Sequence, residues 1–242
     1  IDLGFDELQF DYIRFPSDGD VELAIYPVWN GKEAKYKIMK GFFESLHKNL
    51  KAHKPDIILS ADLFGYAAIL EGDVGIGQRL EDIGHNFDYI SFMVYPSHFY
   101  SGLSLPAIPE RNLPAVNYNL DQARRHPDAV IERTMRVARD FLDGKVGGRV
   151  GISILKSDRS TSTVVATTSK AAITPIIATS TSRARLRPWL EDFYHESDRA
   201  SGRPYGKEKV QLQIQGADRV GKHGWLLWNA ANIYTEAALR SE

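Results

Sequence analysis

Three aspartates stand where apolar runs turn polar, a position suited to acid–base chemistry. Asp62 closes Ile57-Ile58-Leu59-Ser60-Ala61-Asp62, and Asp11 lies within Gln9-Phe10-Asp11-Tyr12-Ile13-Arg14-Phe15-Pro16. Asp192 follows Arg187-Pro188-Trp189-Leu190-Glu191. Because side chains alternate along a strand, only one of Glu191 and Asp192 can face inward, and Asp192 is favoured. Each aspartate has a bland reading: Asp11 bonded to loop amides or ion-paired, Asp62 capping the next turn, Asp192 in a surface salt bridge. Two carboxylates across a cleft are also the minimum equipment for cleaving a glycosidic bond. One attacks or activates water, and the other, with a raised pKa, protonates the leaving oxygen. Asp11 and Asp62 supply that pair, with Asp192 as a third candidate.

The aromatic residues near these points fit a sugar. Tyr95, Trp189 and Trp228 can stack on pyranose faces, while Tyr12, Arg14, His98 and Asn229 can bond hydroxyls; ordinary core packing is the alternative for each ring. Other chemistries find little support. Gly75-Ile76-Gly77 lacks the last glycine of a dinucleotide fingerprint and follows no strand directly. His47 and His53 fall on or after a polar helix face, His85 and His98 are separated by a strand, and no metal-binding motif occurs. A metal-dependent hydrolase would place His beside the aspartates, and none adjoins Asp11 or Asp62. No metal or cofactor is therefore expected.

These side chains need a scaffold. The apolar period switches repeatedly between strand and helix, as in α/β proteins with a parallel sheet. Strands are expected at Leu8–Arg14, Asp56–Phe64, Tyr89–Tyr95, Leu186–Phe193 and Trp225–Asn229. Helices are expected at Ala34–Lys51, Gln78–His85, Pro127–Leu142, Pro204–Val220 and Thr235–Arg240. Pro96 to Pro127 reads as a long loop. Val150–Leu155 is strand-like, and 157–184 reads as a low-complexity insertion, with an extra hairpin as the alternative. Such a chain fits a (β/α)8 TIM-type barrel, whose working groups sit at the C-terminal ends of its strands. Five strands rather than eight make it a partial barrel: residues 1–242 form the C-terminal portion of a single domain, with about three N-terminal strand–helix units preceding Ile1.

The 242 residues suffice for a substantial core, and a formal net charge of −1 offers no basic field for nucleic acid or anionic lipid. Without cysteine there are no disulfides or thiolate metal sites. No apolar run reaches the roughly 18 residues that span a bilayer. A carbohydrate is the partner that fits.

The stretches Gly4-Phe5-Asp6-Glu7-Leu8-Gln9-Phe10-Asp11-Tyr12-Ile13-Arg14-Phe15-Pro16, Ser60-Ala61-Asp62-Leu63-Phe64-Gly65, Asp88-Tyr89-Ile90-Ser91-Phe92-Met93-Val94-Tyr95-Pro96-Ser97-His98, Arg187-Pro188-Trp189-Leu190-Glu191-Asp192-Phe193 and Gly224-Trp225-Leu226-Leu227-Trp228-Asn229 resemble a bacterial glycoside hydrolase family of (β/α)8 barrels related to the α-amylase and α-galactosidase superfamilies. The resemblance implies that the first strand is barrel strand four and that Asp11 holds the nucleophile position. It implies Asp62 as general acid on strand five and Asp192 as a transition-state stabiliser on strand seven. It also implies an extracellular or cell-envelope setting. The α-amylase motifs themselves are not present residue for residue, and the insertion interrupts the approach to the Arg-Pro-Trp strand. A non-catalytic glycan-binding barrel is the rival reading.

Overall fold

A computed structural model describes residues 1–145, 184–195 and 205–239. The strand expected at Val150–Leu155 and the insertion, apart from Ala184, lie outside the described residues.

The chain builds one curled parallel sheet. Strand β1 (Glu7–Phe10) pairs with β2 (Ile58–Phe64), which pairs with β3 (Tyr89–Met93). Two short strands, β6 (Arg185–Leu186) and β7 (Trp189–Glu191), both pair with β3, and β7 pairs with β8 (Leu226–Trp228). The expected Leu186–Phe193 strand is broken because Arg187-Pro188 interrupts it, and proline has no N–H to give a ladder. β6 and β7 thus share one of five sheet positions, and every pairing is parallel.

Helix α1 (Lys35–His53) carries Met39 and Phe43 into the core behind β2, where Leu59, Ala61 and Leu63 are fully buried. Helix α2 (Leu80–Ile83) is a single turn. Helix α4 (Pro127–Leu142) starts on proline, as its sequence predicts, and packs against α5 (Lys207–Asp218). Gly216 permits that approach, since a Cβ there would meet the Asp128 backbone. Val210, Leu212 and Ile214 alternate in a way a strand could also use, but they lie within α5.

Two expectations need correction. Pro96–Pro127 is not a plain loop: it contains an antiparallel hairpin of β4 (Leu103–Leu105) and β5 (Val116–Tyr118), followed by α3 (Leu120–Arg125). Asn119 and Gln122 form a capping box at the start of α3, a signal present in the sequence and overlooked. The closing helix at Thr235–Arg240 is a 3-10 turn at Glu236–Ala238, and Arg240 lies outside the described residues. Among the described residues no helix is long and apolar enough to cross a membrane.

Candidate active site

Alternation along β2 puts Ser60 and Asp62 on the concave face of the sheet, opposite the apolar face formed by Leu59, Ala61 and Leu63. Asp62 is 4% exposed. Its Oδ1 accepts hydrogen bonds from Gln9 Nε2 at 2.6 Å and Trp189 Nε1 at 2.9 Å, so β1 and β7 converge on one oxygen. Burial pushes the carboxyl up to about 6, against both hydrogen bonds, which favour the ionised form. The negative charge of Asp11 adds to the rise, and Arg187 opposes it. Asp62 therefore keeps its proton well above the usual carboxylate range, to about 6, a shift in the direction a general acid requires.

Asp11 sits just past the end of β1. The strand stops at Phe10 rather than continuing to Arg14 because Tyr12 takes a left-handed conformation, φ 54°, with its amide donating to Asp11 Oδ1 at 2.7 Å. This turn exposes Asp11, which the expected longer strand would have buried. Asp11 and Asp62 both line one cavity of about 440 Å³ at the C-terminal ends of β1, β2 and β3. Tyr12 and Arg14 line it too, with the guanidinium 5.4 Å from the Tyr12 ring centre. Gly65 forms part of the wall where the chain leaves β2, and a Cβ there would strike the Met93 carbonyl.

The remaining wall is aromatic. Trp189 and Trp228 meet edge to face with ring centres 6.2 Å apart, and Tyr95 and His98 do so at 5.2 Å. Burial, then the nearby acidic groups Asp62, Asp11 and Glu191, holds the Tyr95 phenol above its usual range. Burial, reinforced by His195, lowers the His98 pKa and favours neutral imidazole. Tyr12, Tyr100 and Trp228 are exposed at the cavity, leaving ring faces accessible to a ligand. Tyr100 stacks on His98 at 5.6 Å, and neither it nor Asp18, another cavity residue, was singled out from the sequence.

Two expected site residues are elsewhere. Asp192 is absent from the cavity lining, and its two oxygens accept from the Thr235 amide at 2.6 Å and hydroxyl at 2.7 Å. Asn229 is also outside it: its side chain donates to the carbonyls of Asp192 and Ile233 and accepts from the Ala231 amide. Both fasten the segment after β8. Of the two neighbours, Glu191 rather than Asp192 shares the face of Trp189 and pairs with Trp228, although neither lines the cavity. Glu191 is fully buried, and burial pushes its carboxyl up to about 7 despite hydrogen bonds from the Ser97 amide at 3.0 Å and hydroxyl at 2.6 Å. Gln9 was also missed, although its place two residues before Asp11 marks it as inward-facing polar.

Among the described residues no group of three or more His, Asp or Glu could hold a metal ion. The site is a cleft lined by three carboxylates, Asp11, Asp18 and the buried Asp62, between aromatic walls. Residues 1–234 match the family described as "Putative glycosyl hydrolase domain". The chain belongs to this family. A comparison with functionally curated proteins gives no match. The PgaB (BpsB) glycoside hydrolase domain from Bordetella bronchiseptica is a similar solved structure, at 14% identity and a TM-score of 0.37. The match covers 81% of this chain and 37% of that one, and no residue role is transferred from it.

Proposed function

We propose that this glycosyl hydrolase-like chain is the C-terminal portion of a (β/α)8 barrel that cleaves glycosidic bonds in a polysaccharide or cell-envelope glycan outside the cell. Asp62 is the general acid that protonates the leaving oxygen. Asp11 is the nucleophile, which makes the reaction retaining: Asp11 forms a glycosyl ester as the leaving group departs with the Asp62 proton. Ionised Asp62 then takes a proton from the water that breaks the ester. The observation that carries this reading is the shared cavity, lined both by a buried carboxyl with a pKa of about 6 and by exposed Asp11, whose charge adds to that rise.

The aromatic faces support a sugar chain as substrate. Tyr12, Tyr100 and Trp228 offer stacking surfaces, and Arg14 and His98 offer polar contacts at the same opening. The proposed role of Asp192 as a transition-state stabiliser is set aside, because Thr235 occupies both of its oxygens.

The test is release of reducing ends from a panel of polysaccharides by the full-length protein, beside its Asp11→Asn and Asp62→Asn variants. Cleavage by the wild type and not by the variants is expected, with the first-formed anomer read by NMR matching that of the substrate bond. Binding without cleavage would identify a glycan-binding barrel instead, and an inverted first product would remove Asp11 as nucleophile.

A further inference from the structure

Below Asp62, on the same concave face, lies a second set of polar groups that no step of the proposed reaction uses. Glu7, two residues before Gln9, receives a bidentate hydrogen bond from Arg187, two residues before Trp189, with Nη1 to Oε2 at 3.2 Å. Ser60, two residues before Asp62, donates to Glu7 Oε1 at 2.7 Å. The period of two makes this a layer: Glu7, Ser60 and Arg187 lie one strand repeat beneath Gln9, Asp62 and Trp189. Arg187 also packs its guanidinium 4.4 Å from the centre of the Tyr89 ring, which fixes its plane.

The ion pair joins strand positions that are not neighbours. β2 and β3 lie between β1 and the β6–β7 position. With strands about 4.8 Å apart, a flat sheet would separate those positions by roughly 14 Å. The contact exists because the sheet curls, and it ties the two sides of the concavity together. The layer above shows the same crossing, where Gln9 and Trp189 approach Asp62 from opposite sides.

The pair also matters electrostatically. Arg187 favours the charged form of Asp62, and Glu7 meets that guanidinium on both its terminal nitrogens, Nη1 and Nη2. Glu7 is itself ionised: burial opposes its charge, but hydrogen bonds from Arg187 and Ser60, with the guanidinium's field, outweigh burial and hold it below its usual range.

We propose that Glu7 and Arg187 are positioning residues for Asp62, a cross-sheet ion pair that sets where Gln9 and Trp189 meet its carboxylate and offsets the positive charge beneath it. The catalytic consequence rests on Asp62 being the general acid, whereas the effect on its proton does not. Uncompensated, Arg187 pulls the Asp62 proton affinity down; removed, it lets that affinity rise.

The experiment is carboxyl-carbon NMR on the full-length protein labelled with 13C at aspartate, titrated from about pH 4 to about pH 8, roughly two units either side of the Asp62 pKa of about 6, with Asp62 assigned by the resonance missing in Asp62→Asn. The expected result is a lower Asp62 midpoint in Glu7→Gln and a higher one in Arg187→Met, with folding of each checked by the dispersion of the remaining aspartate signals. The double variant Glu7→Gln/Arg187→Met, which restores neutrality, is expected to lie between the two singles. A midpoint that does not move, or that moves the same way in both single variants, overturns the proposal. Because no sugar is needed, the titration stands apart from the proposed chemistry: opposite shifts in a protein that cleaves nothing would uphold the ion pair's role and overturn only the hydrolase reading. Should Arg187→Met not fold, Glu7→Gln decides by the direction of its shift.

Discussion

Trp189 Nε1 donates to the same Asp62 oxygen that Gln9 Nε2 reaches, at 2.9 and 2.6 Å. Both bonds favour the ionised form, so neither explains the raised pKa; burial does. Trp189→Phe keeps an aromatic wall and removes one donor. A hydrogen bond to a charged group contributes about 1.5–3 kcal/mol, and about 1.4 kcal/mol corresponds to one pH unit. The Asp62 proton affinity should rise, moving the alkaline limb of the kcat/KM profile upward by about one to two units. A downward shift would show that the indole is not bonded to the carboxylate.

Turnover itself should depend on Asp62 being protonated. With its pKa at about 6, kcat/KM is retained below that pH and lost as pH rises through it. Asp62→Asn removes the proton donor and should lower turnover by about 10²-fold or more. An alkaline limb that survives unchanged in this variant would assign the acid to another group.

Stability should follow the same proton with a defined sign. The folded chain keeps the Asp62 proton up to about 6, whereas the unfolded chain releases it near 3.8. Between those values the folded state binds more protons, so stability falls as pH rises through the window, by at most about 3 kcal/mol. In the Asp62→Asn variant the side-chain amide oxygen can still accept from Gln9 and Trp189 while carrying no charge. Urea denaturation at pH 5 and pH 8 (on either side of about 6) should show the variant gaining on the wild type at the higher pH. Comparison with the wild type is needed because burial also pushes Glu191 up, to about 7, and that background is common to the pair.

Asp11→Asn separates chemistry from folding. Asp11 is exposed, and its side chain accepts from the neighbouring Tyr12 amide, a bond that an asparagine oxygen can also make. Its loss should change stability by no more than about 0.5 kcal/mol. Turnover should collapse, and the Asp62 titration should move down because a charge that raises it is gone. Thermal melting and carboxyl NMR check the two halves of this expectation.

Much of the scaffold was legible because its signals are local. The spacing of Met39, Phe42, Phe43, Leu46 and Leu50 predicts α1, and Pro127 marks the start of α4. Asp62 was legible for the same reason, as the polar end of an apolar strand. What stayed hidden depends on which strands meet. The sequence places Glu7 and Arg187 180 positions apart, and only the curl of the sheet brings them together. Glu191 and Asp192 were distinguishable by alternation from Trp189, a site candidate two residues earlier, and the pairing of Glu191 with Trp228 agrees with that. The end of β1 was misplaced because Tyr12 is an unusual residue for a left-handed turn, so nothing in its type announces one.

Asp192 tests that distinction most directly. Its carboxylate accepts both the amide and the hydroxyl of Thr235, and its backbone carbonyl accepts from Asn229, so it shares with Asn229 the fastening of the segment after β8. Asp192→Ala would leave the part-buried Thr235 amide without its acceptor, at a cost of about 1–3 kcal/mol. The cavity carboxylates and their partners do not touch it. The expected outcome is a lower denaturation midpoint with kcat retained at a temperature where the variant remains folded. A fall in kcat of the size expected for Asp62→Asn, with the fold intact, would return Asp192 to the catalytic set and require the chain after β8 to release it when substrate binds.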